Sequence, residues 1–374
     1  MGLFIGSLED VKNYFADESL NQSTLKDLEG GLDAFLAVQE KNKKKAESDS
    51  PEKIYFIIGG AVDVTLTGPE NAFEESYYIS KVDKPTESIT KVVDLVYRTL
   101  LETGDTLHNG LDMYEETIIA ACEVTEYQKG WKVETKVNKI VKEGSLYFQD
   151  LLKGAGKTVI GKETNGIIQN IINSLKTNPR TKGFFDRDFF AYNPHHIDIY
   201  YQLPIYFTIK DVKCKALLDI VIVEKNASGD VINVYPIDLK TRFGFTFNFP
   251  DSVRKRRYDL QGAWYTDALL APDARSPLPF PFDKVSEENM KDFQFVVESS
   301  TSPGKPLIFE LTKDYLNVGR SGYFNVYKGK LDKLGYYNLL DKYLYYSENN
   351  WEEEEIVTRF GGKLTLEYEG IREW

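Results

Sequence analysis

The residues best suited to chemistry lie between Asp219 and Tyr265. Asp219 sits inside an apolar run, Leu217-Leu-Asp-Ile-Val-Ile-Val. Nineteen residues later, Asp238-Leu239-Lys240 closes a second apolar run that begins at Val231. Between them, Asn226-Ala-Ser-Gly-Asp230 is a hairpin signal. The hairpin sets the two strands side by side, so two carboxylates and an ammonium converge at one end of a sheet. Carboxylates buried near each other repel, and each resists ionising. A divalent cation removes that penalty, and an all-oxygen donor set selects Mg2+ or Mn2+. A lysine beside the cation can orient or activate a water and stabilise negative charge at phosphorus.

Asp-x-Lys alone says little, because it also occurs at Asp10-Val-Lys12 and Asp211-Val-Lys213, with Glu134-Thr-Lys136 a further look-alike. Context separates Asp238-Leu-Lys240. It ends an apolar strand, follows a strand with an in-core aspartate, and precedes the helical run Arg254-Lys-Arg-Arg-Tyr-Asp-Leu-Gln-Gly-Ala-Trp-Tyr. Gln261 and Tyr265 are four apart there, one turn from each other on one face. Arg254, Lys255, Arg256 and Arg257 come just before Gln261, at a helix N-terminus that itself attracts phosphate. Arg180-Thr-Lys182 is a weaker basic candidate, and Lys41, Lys43, Lys44 and Lys45 read as solvated surface.

The elements that must position these residues follow from periodicity. Residues 17–36 read as a helix with Leu25, Leu28, Leu32 and Phe35 on one face and Asn21-Gln-Ser-Thr-Leu supplying cap candidates. The stretch from Glu40 to Pro51 is charged and turn-rich, a loop or a helix tail. A second helix runs from about Tyr55 to Leu66, closed by Gly68-Pro69, and residues 86–180 are mostly helical with a break near Lys153. At that break, Gly154-Ala-Gly156-Lys157-Thr158 lacks the first glycine of a phosphate-binding loop and follows no strand, so it reads as a turn. From residue 198 the period becomes two, giving three strands. Residues 253–271 return to helix, Phe293 and Leu307 open two more strands, and residues 314–347 read as helix. That order predicts one α/β domain built on a mixed sheet.

The composition sets bounds. With 46 Lys and Arg against 58 Asp and Glu, the formal charge over 374 residues is −12, which at first sight argues against a nucleic-acid partner. At 42% hydrophobic residues the chain can build a large core, and it has no apolar run long enough for a membrane span. The start, Met1-Gly-Leu-Phe-Ile-Gly, lacks the basic region of a signal peptide, and a cytoplasmic protein is expected. Two cysteines, Cys122 and Cys214, and three histidines, His108, His195 and His196, exclude a disulfide framework, a four-thiolate zinc site and a cysteine-ligated cluster. No Gly-x-Ser-x-Gly elbow is present.

Asp238-Leu-Lys240 followed about twenty residues later by Gln261-x-x-x-Tyr265 resembles the PD-(D/E)xK nuclease superfamily, in its RecB-like and phage-exonuclease branch. Ile57-Ile-Gly-Gly-Ala-Val-Asp-Val-Thr-Leu-Thr-Gly-Pro-Glu looks like the N-terminal helix of RecE-type and lambda-type exonucleases, with Asp63 where that family has a metal-ligating histidine. Leu20-Asn-Gln-Ser-Thr-Leu-Lys is similar to their opening. Gln202 stands where many relatives have a glutamate, and Leu307 to Arg320 resembles their C-terminal strand and helix, ending near Trp351. The resemblance covers about residues 16–351. It implies a restriction-endonuclease-like core, a central mixed sheet flanked by helices, with a helical N-terminal part at about 16–190, the catalytic part at about 198–351 and an acidic tail at 352–374.

The resemblance further implies a metal-dependent DNA phosphodiesterase. Asp219 and Asp238, the Leu239 carbonyl and Asp63 would hold Mg2+ or Mn2+. Lys240 would hold the attacking water, and Gln261 and Tyr265 would steady the lysine or the phosphate. Such relatives act as ring-shaped homo-oligomers that degrade one strand of linear duplex DNA from its 5′ end and pass the 3′ strand to a single-strand annealing protein. This suggests a phage recombination function. Alternatives are an endonuclease or helicase-coupled nuclease on the same fold, or a catalytically decayed DNA-binding protein, which the Asp63 and Gln202 departures keep open. On this reading, the acidity is functional at the metal site and elsewhere lies in runs such as Glu352-Glu-Glu-Glu-Glu. DNA is then met in one basic channel of an otherwise acidic molecule.

Overall fold

The computed structural model describes residues 2–47, 53–104, 107–185, 196–325 and 330–348. His195, Trp351 and the 352–374 tail lie outside the described residues. In chain order the elements are β1 (Gly2–Ile5), α1 (Leu8–Ala16), α2 (Gln22–Asp27), α3 (Leu32–Glu47), α4 (Ile54–Thr67), α5 (Ala72–Ser76) and β2 (Tyr77–Ile79). There follow α6 (Glu87–Thr103), α7 (Glu115–Val124), α8 (Val133–Lys153), β3 (Thr158–Ile160), α9 (Lys162–Thr177) and α10 (Lys182–Phe185). Then come β4 (His196–Ile209), β5 (Val212–Lys225), β6 (Val231–Arg242), α11 (Phe249–Arg256), α12 (Tyr258–Leu270), β7 (Phe293–Ser299) and β8 (Leu307–Leu311). Last are α13 (Lys313–Ser321), β9 (Tyr323–Asn325), β10 (Lys330–Lys333) and α14 (Tyr336–Glu348).

Six strands form one mixed sheet in the order β1-β4-β5-β6-β7-β8. The long β4–β5–β6 meander is antiparallel, while β1 joins β4 and β7 joins β6 in parallel. Each face carries its own core, as the period-two pattern requires. On one face Leu203, Ile205, Leu218, Val221 and Val234 pack with Trp264 of α12, Leu25 of α2 and Leu339 of α14. On the other, Tyr201, Ile220, Ile237 and Leu239 pack with Ala61, Val62 and Leu66 of α4 and Ile168 and Ile171 of α9. Helices α6, α7 and α8 enclose a third cluster around Val93, Ile118, Ile140 and Phe148, away from the sheet. This helix-flanked mixed sheet is consistent with the restriction-endonuclease-like core expected from the sequence. Among the described residues, no helix is long and apolar enough to cross a membrane.

Three boundaries differ from the periodicity reading. The 17–36 helix is broken: Asn21 caps α2 by accepting the Thr24 N–H at 2.9 Å, and the chain turns at Gly31 with φ +91° before α3 begins. The positive φ favours glycine there. The 253–271 helix is two helices, because Arg257 adopts a left-handed conformation (φ +55°) between α11 and α12. The 314–347 stretch is not continuous helix, since β9 and β10 form a hairpin between α13 and α14. The Gly154–Lys157 segment is a turn leading into β3, with the Lys157 N–H donating to the Gly154 carbonyl at 2.9 Å and Gly156 at φ +75°.

Candidate active site

The sheet forks where the acidic residues sit. Strands β5 and β6 pair from Lys225–Val231 up to Ile220–Ile237 and then separate. Beyond that point β6 continues against β7 as far as Arg242–Ser299, and β5 continues against β4 as far as Val212–Ile209. Asp219 and Asp238 are the first residues past the last shared pair, one on each arm. The Leu239 N–H no longer has a strand partner on that side, and Asp219 Oδ2 accepts it at 2.8 Å. A buried unpaired N–H would be costly, so one carboxylate oxygen is committed to closing the fork.

A kink in the neighbouring strand aims the group. Tyr201 pairs with Ile220 and Leu203 with Leu218, leaving Gln202 and Asp219 unpaired between them. Gln202 has φ +48°. Tyr200 and Leu203 belong to one core, and so do Leu218 and Val221. In an unbroken strand, residues three apart face opposite sides. The side-chain alternation of both strands therefore changes face at the same rung, while their pairing register runs on unbroken, a local irregularity of the kind found beside functional sites. Gly6 makes the kink possible. A Cβ there would lie 2.3 Å from the Gln202 carbonyl oxygen, while the Gly6 N–H donates to the Tyr201 carbonyl at 2.9 Å.

Helix α4 brings the third carboxylate. Its Gly59-Gly60 pair lets it approach closely: a Cβ at Gly59 would lie 3.1 Å from Thr241 Oγ1, and one at Gly60 2.6 Å from the Tyr77 hydroxyl. One turn on, the Asp63 carboxylate accepts from Gln202 Nε2 at 3.1 and 3.2 Å and from Thr67 Oγ1 at 2.9 Å. Gln202 Nε2 also reaches Thr67 Oγ1 at 2.7 Å. The neutral Gln202 thus acts as a donor that holds Asp63, a bond a glutamate in that place could make only when protonated.

On β6, Lys240 and Asp238 are two apart and share a face. Their ammonium and Oδ2 lie 2.5 Å apart. Gln261 Nε2 donates to the other Asp238 oxygen at 2.6 Å. Gln261 therefore steadies the carboxylate. Its helix is seated by Trp264, fully buried, whose Nε1–H donates to the Lys215 carbonyl at 3.0 Å. The Lys240 ammonium also lies over the Tyr258 ring, 5.2 Å from its centroid, and 5.9 Å from that of Phe295. Sequence reasoning missed both. Tyr258 stands three residues before Gln261 on the same helix face, a signal that was available. Phe295 arrives through its β7 pairing with Asp238, which no local pattern reveals. Tyr265 is partly buried, with its ring 6.0 Å from that of Phe293, and burial first, then Tyr14, Asp238 and Asp219, push its hydroxyl well above its usual range.

The proton affinities show strained electrostatics. Burial pushes Asp63 up to about 6, with the Asp238 charge adding to it while Thr67, Lys240 and Gln202 oppose it. Asp219 is held well above the usual carboxylate range by burial and then by Asp63 and Asp238. Burial also raises Asp238, against the pull of Lys240 and Gln261. Burial alone would lower Lys240, but Asp238, Asp219 and Tyr258 outweigh it and hold the ammonium protonated. These neighbours favour the charged form of Lys240. It can orient a water or stabilise an anionic oxygen.

Among the described residues, no three His, Cys, Asp or Glu side chains are grouped so that they could hold a metal ion as they stand. The donor chemistry nevertheless suits a hard divalent cation. Asp238 Oδ2 is buried, with the Lys240 ammonium 2.5 Å away. Three mutually repelling carboxylates of raised proton affinity are what such a cation would relieve.

The basic run is not one patch. Arg254, Lys255 and Arg256 are exposed in the last turn of α11, so they complement the negative end of that helix instead of crowning a helix N-terminus. Arg254 pairs with Asp251 at 2.6 Å. Arg257 corrects the expectation of a phosphate contact. It is 4% exposed, donates to Asp259 at 2.9 and 3.1 Å and to the Leu334 carbonyl at 2.7 Å, and pairs with Glu29. It is a structural tie between α12, the Leu28–Gly30 turn and the approach to α14. Arg320 is likewise committed, to Asp267 of α12 at 2.6 Å.

No family model matches the chain, and no curated protein matches it. Among solved structures, one similar chain is a candidate exonuclease from Eubacterium rectale, with 13% identity and a TM-score of 0.38, covering 83% of this chain and 79% of that one. That overlap is too loose to assign a family, so any function must be read from this chain's own residues.

Proposed function

We propose that this chain is a metal-dependent deoxyribonuclease of the PD-(D/E)xK type. The observation that carries the reading is the forked sheet. It sets Asp219 and Asp238 at its mouth, with the Lys240 ammonium against one Asp238 oxygen and Gln261 donating to the other. Asp219, Asp238, the Leu239 carbonyl and Asp63 would hold Mg2+ or Mn2+. When bound, such an ion supplies charge neutralisation and stabilises the entering and leaving oxygens of an in-line displacement at phosphorus.

The chain's own groups then have separable tasks. Lys240 positions a water or a phosphate oxygen. Gln261 keeps Asp238 in one rotamer. Gln202 and Thr67 do the same for Asp63. Tyr258 and Phe295 limit solvent around the ammonium, which strengthens its field. We propose further that the substrate is linear duplex DNA, degraded 5′ to 3′ by a homo-oligomer, leaving 3′ strands for an annealing partner in phage recombination.

The test uses linear duplex DNA with 5′-phosphate or blocked ends, and closed circular DNA, each with Mg2+ or EDTA. End-dependent cleavage that needs Mg2+ is expected. Cleavage of closed circles would replace the exonuclease reading with the endonuclease one. Metal-independent binding without any cleavage would favour a decayed DNA-binding protein, the reading to which Gln202 lends some weight.

A further inference from the structure

The turn after Lys240 exposes aromatic rings in an order opposite to that of an ordinary loop. In Arg242-Phe-Gly-Phe-Thr-Phe-Asn-Phe249, phenylalanines occupy alternate positions. Phe243, Phe245 and Phe247 are 79, 59 and 64% exposed, whereas the polar Thr246 between them is 7% exposed. Only Phe249 is buried, stacked on Tyr258 beside the Lys240 ammonium.

The loop is held in this inverted state by hydrogen bonds between side chains and backbone. Arg242 Nη1 donates to the Phe245 carbonyl at 2.6 Å, and Thr246 Oγ1 to the Lys305 carbonyl at 3.1 Å. The Gly244 N–H reaches Thr301 Oγ1 at 3.2 Å, and Gly244 has φ +83°, a conformation that favours glycine. The Phe245 and Phe247 rings stack on each other, with centroids 5.4 Å apart and planes 13° from parallel. A fixed loop that buries its threonine and presents three phenyl faces to water has an external use for them.

We propose that Phe243, Phe245 and Phe247 form a stacking platform for unpaired nucleobases of the strand that enters the site. The inference rests on the nuclease reading for its location, because the platform begins three residues after Lys240. Its occupant is argued from chemistry. Flat phenyl faces stack on any base, and the exposed Lys255 and Arg256 on the helix that follows supply cations for the backbone of the same strand. Together they suit a single-stranded or frayed end better than a closed duplex, whose bases already stack on each other.

The test is equilibrium binding in EDTA, so that cleavage plays no part. Fluorescence anisotropy compares an oligothymidylate with an abasic strand of equal length. The wild-type chain is set beside the Phe243→Ala/Phe245→Ala/Phe247→Ala variant and beside Phe245→Leu/Phe247→Leu, which keeps the apolar surface but loses the flat faces. Both variants change exposed side chains, and circular dichroism checks that the fold is retained. The expected result is at least about tenfold weaker binding of oligothymidylate by both variants. The abasic strand should bind weakly and alike to all three proteins. Unchanged oligothymidylate affinity in either variant overturns the proposal. So does equal weakening of the abasic strand, or a change of oligomeric state with base binding intact, which would make the rings a protein–protein contact. Base-dependent binding by a chain that never cleaves DNA would keep the platform and remove the nuclease.

Discussion

Asp219 Oδ2 accepts the Leu239 backbone N–H at 2.8 Å, across the point where β5 and β6 part. The carboxylate takes the place of a missing strand partner, so the same residue shapes the fork and faces the site. Asp219→Asn can keep this bond through its carbonyl oxygen, whereas Asp219→Ala cannot. The account expects both to lose cleavage, but only the alanine variant to lose fold stability, by about 1–3 kcal/mol. Urea unfolding at equal m-value separates the two effects.

Stability should depend on pH with an unusual sign. Asp63 is raised to about 6 in the folded chain, and Asp219 and Asp238 are also raised. A carboxyl whose folded proton affinity exceeds its unfolded one favours folding below the unfolded pKa. It loses that contribution as pH rises through the folded value. For Asp63 the loss runs from about pH 4 to about pH 6. Melting temperature in EDTA is therefore expected to fall over this window. Asp63→Asn should flatten the fall, by on the order of 1–3 kcal/mol at pH 8. Mg2+ should raise the melting temperature above pH 6. A wild-type profile parallel to that of Asp63→Asn contradicts this.

The kink at Gln202 predicts intolerance at a residue distant in sequence. Gly6→Ala places a methyl 2.3 Å from the Gln202 carbonyl oxygen. Overpacking of this kind costs roughly 1–3 kcal/mol. Because Gln202 holds Asp63, the variant should also weaken Mg2+-linked stabilisation, read as the shift in melting temperature on adding the ion.

Within the basic run, stability and DNA affinity should separate. Arg257→Ala leaves Asp259 buried without its guanidinium, and is expected to cost about 3–5 kcal/mol. Lys255→Ala and Arg256→Ala should leave stability nearly unchanged. Each should reduce the salt dependence of DNA binding, by up to about 0.9 in the slope of log affinity against log salt. A full salt slope in the double variant would remove these residues from the DNA-facing surface.

How much of this was legible in the sequence differs by kind of feature. The strands showed themselves through alternation. Asp219, Asp238 and Lys240 stood out because charged residues interrupt apolar runs that otherwise fill a core. Gln261 is visible by its spacing, though its partner, Asp238, is not. The fork and the paired change of face at Gln202 and Asp219 were illegible, since they arise from three strands meeting and no window of one strand contains them. Arg257 misled because a run of four cations reads alike whether its members face water or an acidic pocket. Only the left-handed turn between α11 and α12 turns the fourth one inward. The β9–β10 hairpin was hidden by a Tyr- and Leu-rich stretch that suits either period.

The central claim is that Lys240, held 2.5 Å from Asp238, serves metal-dependent phosphodiester cleavage. Single-turnover cleavage of end-labelled linear duplex DNA, with Mg2+ or EDTA, by the unmutated chain and by Lys240→Ala tests it most directly. The account predicts Mg2+-dependent shortening by the unmutated chain and a rate at least about 100-fold lower for Lys240→Ala. No Mg2+-dependent cleavage by the unmutated chain, or equal rates for the two proteins, would contradict it.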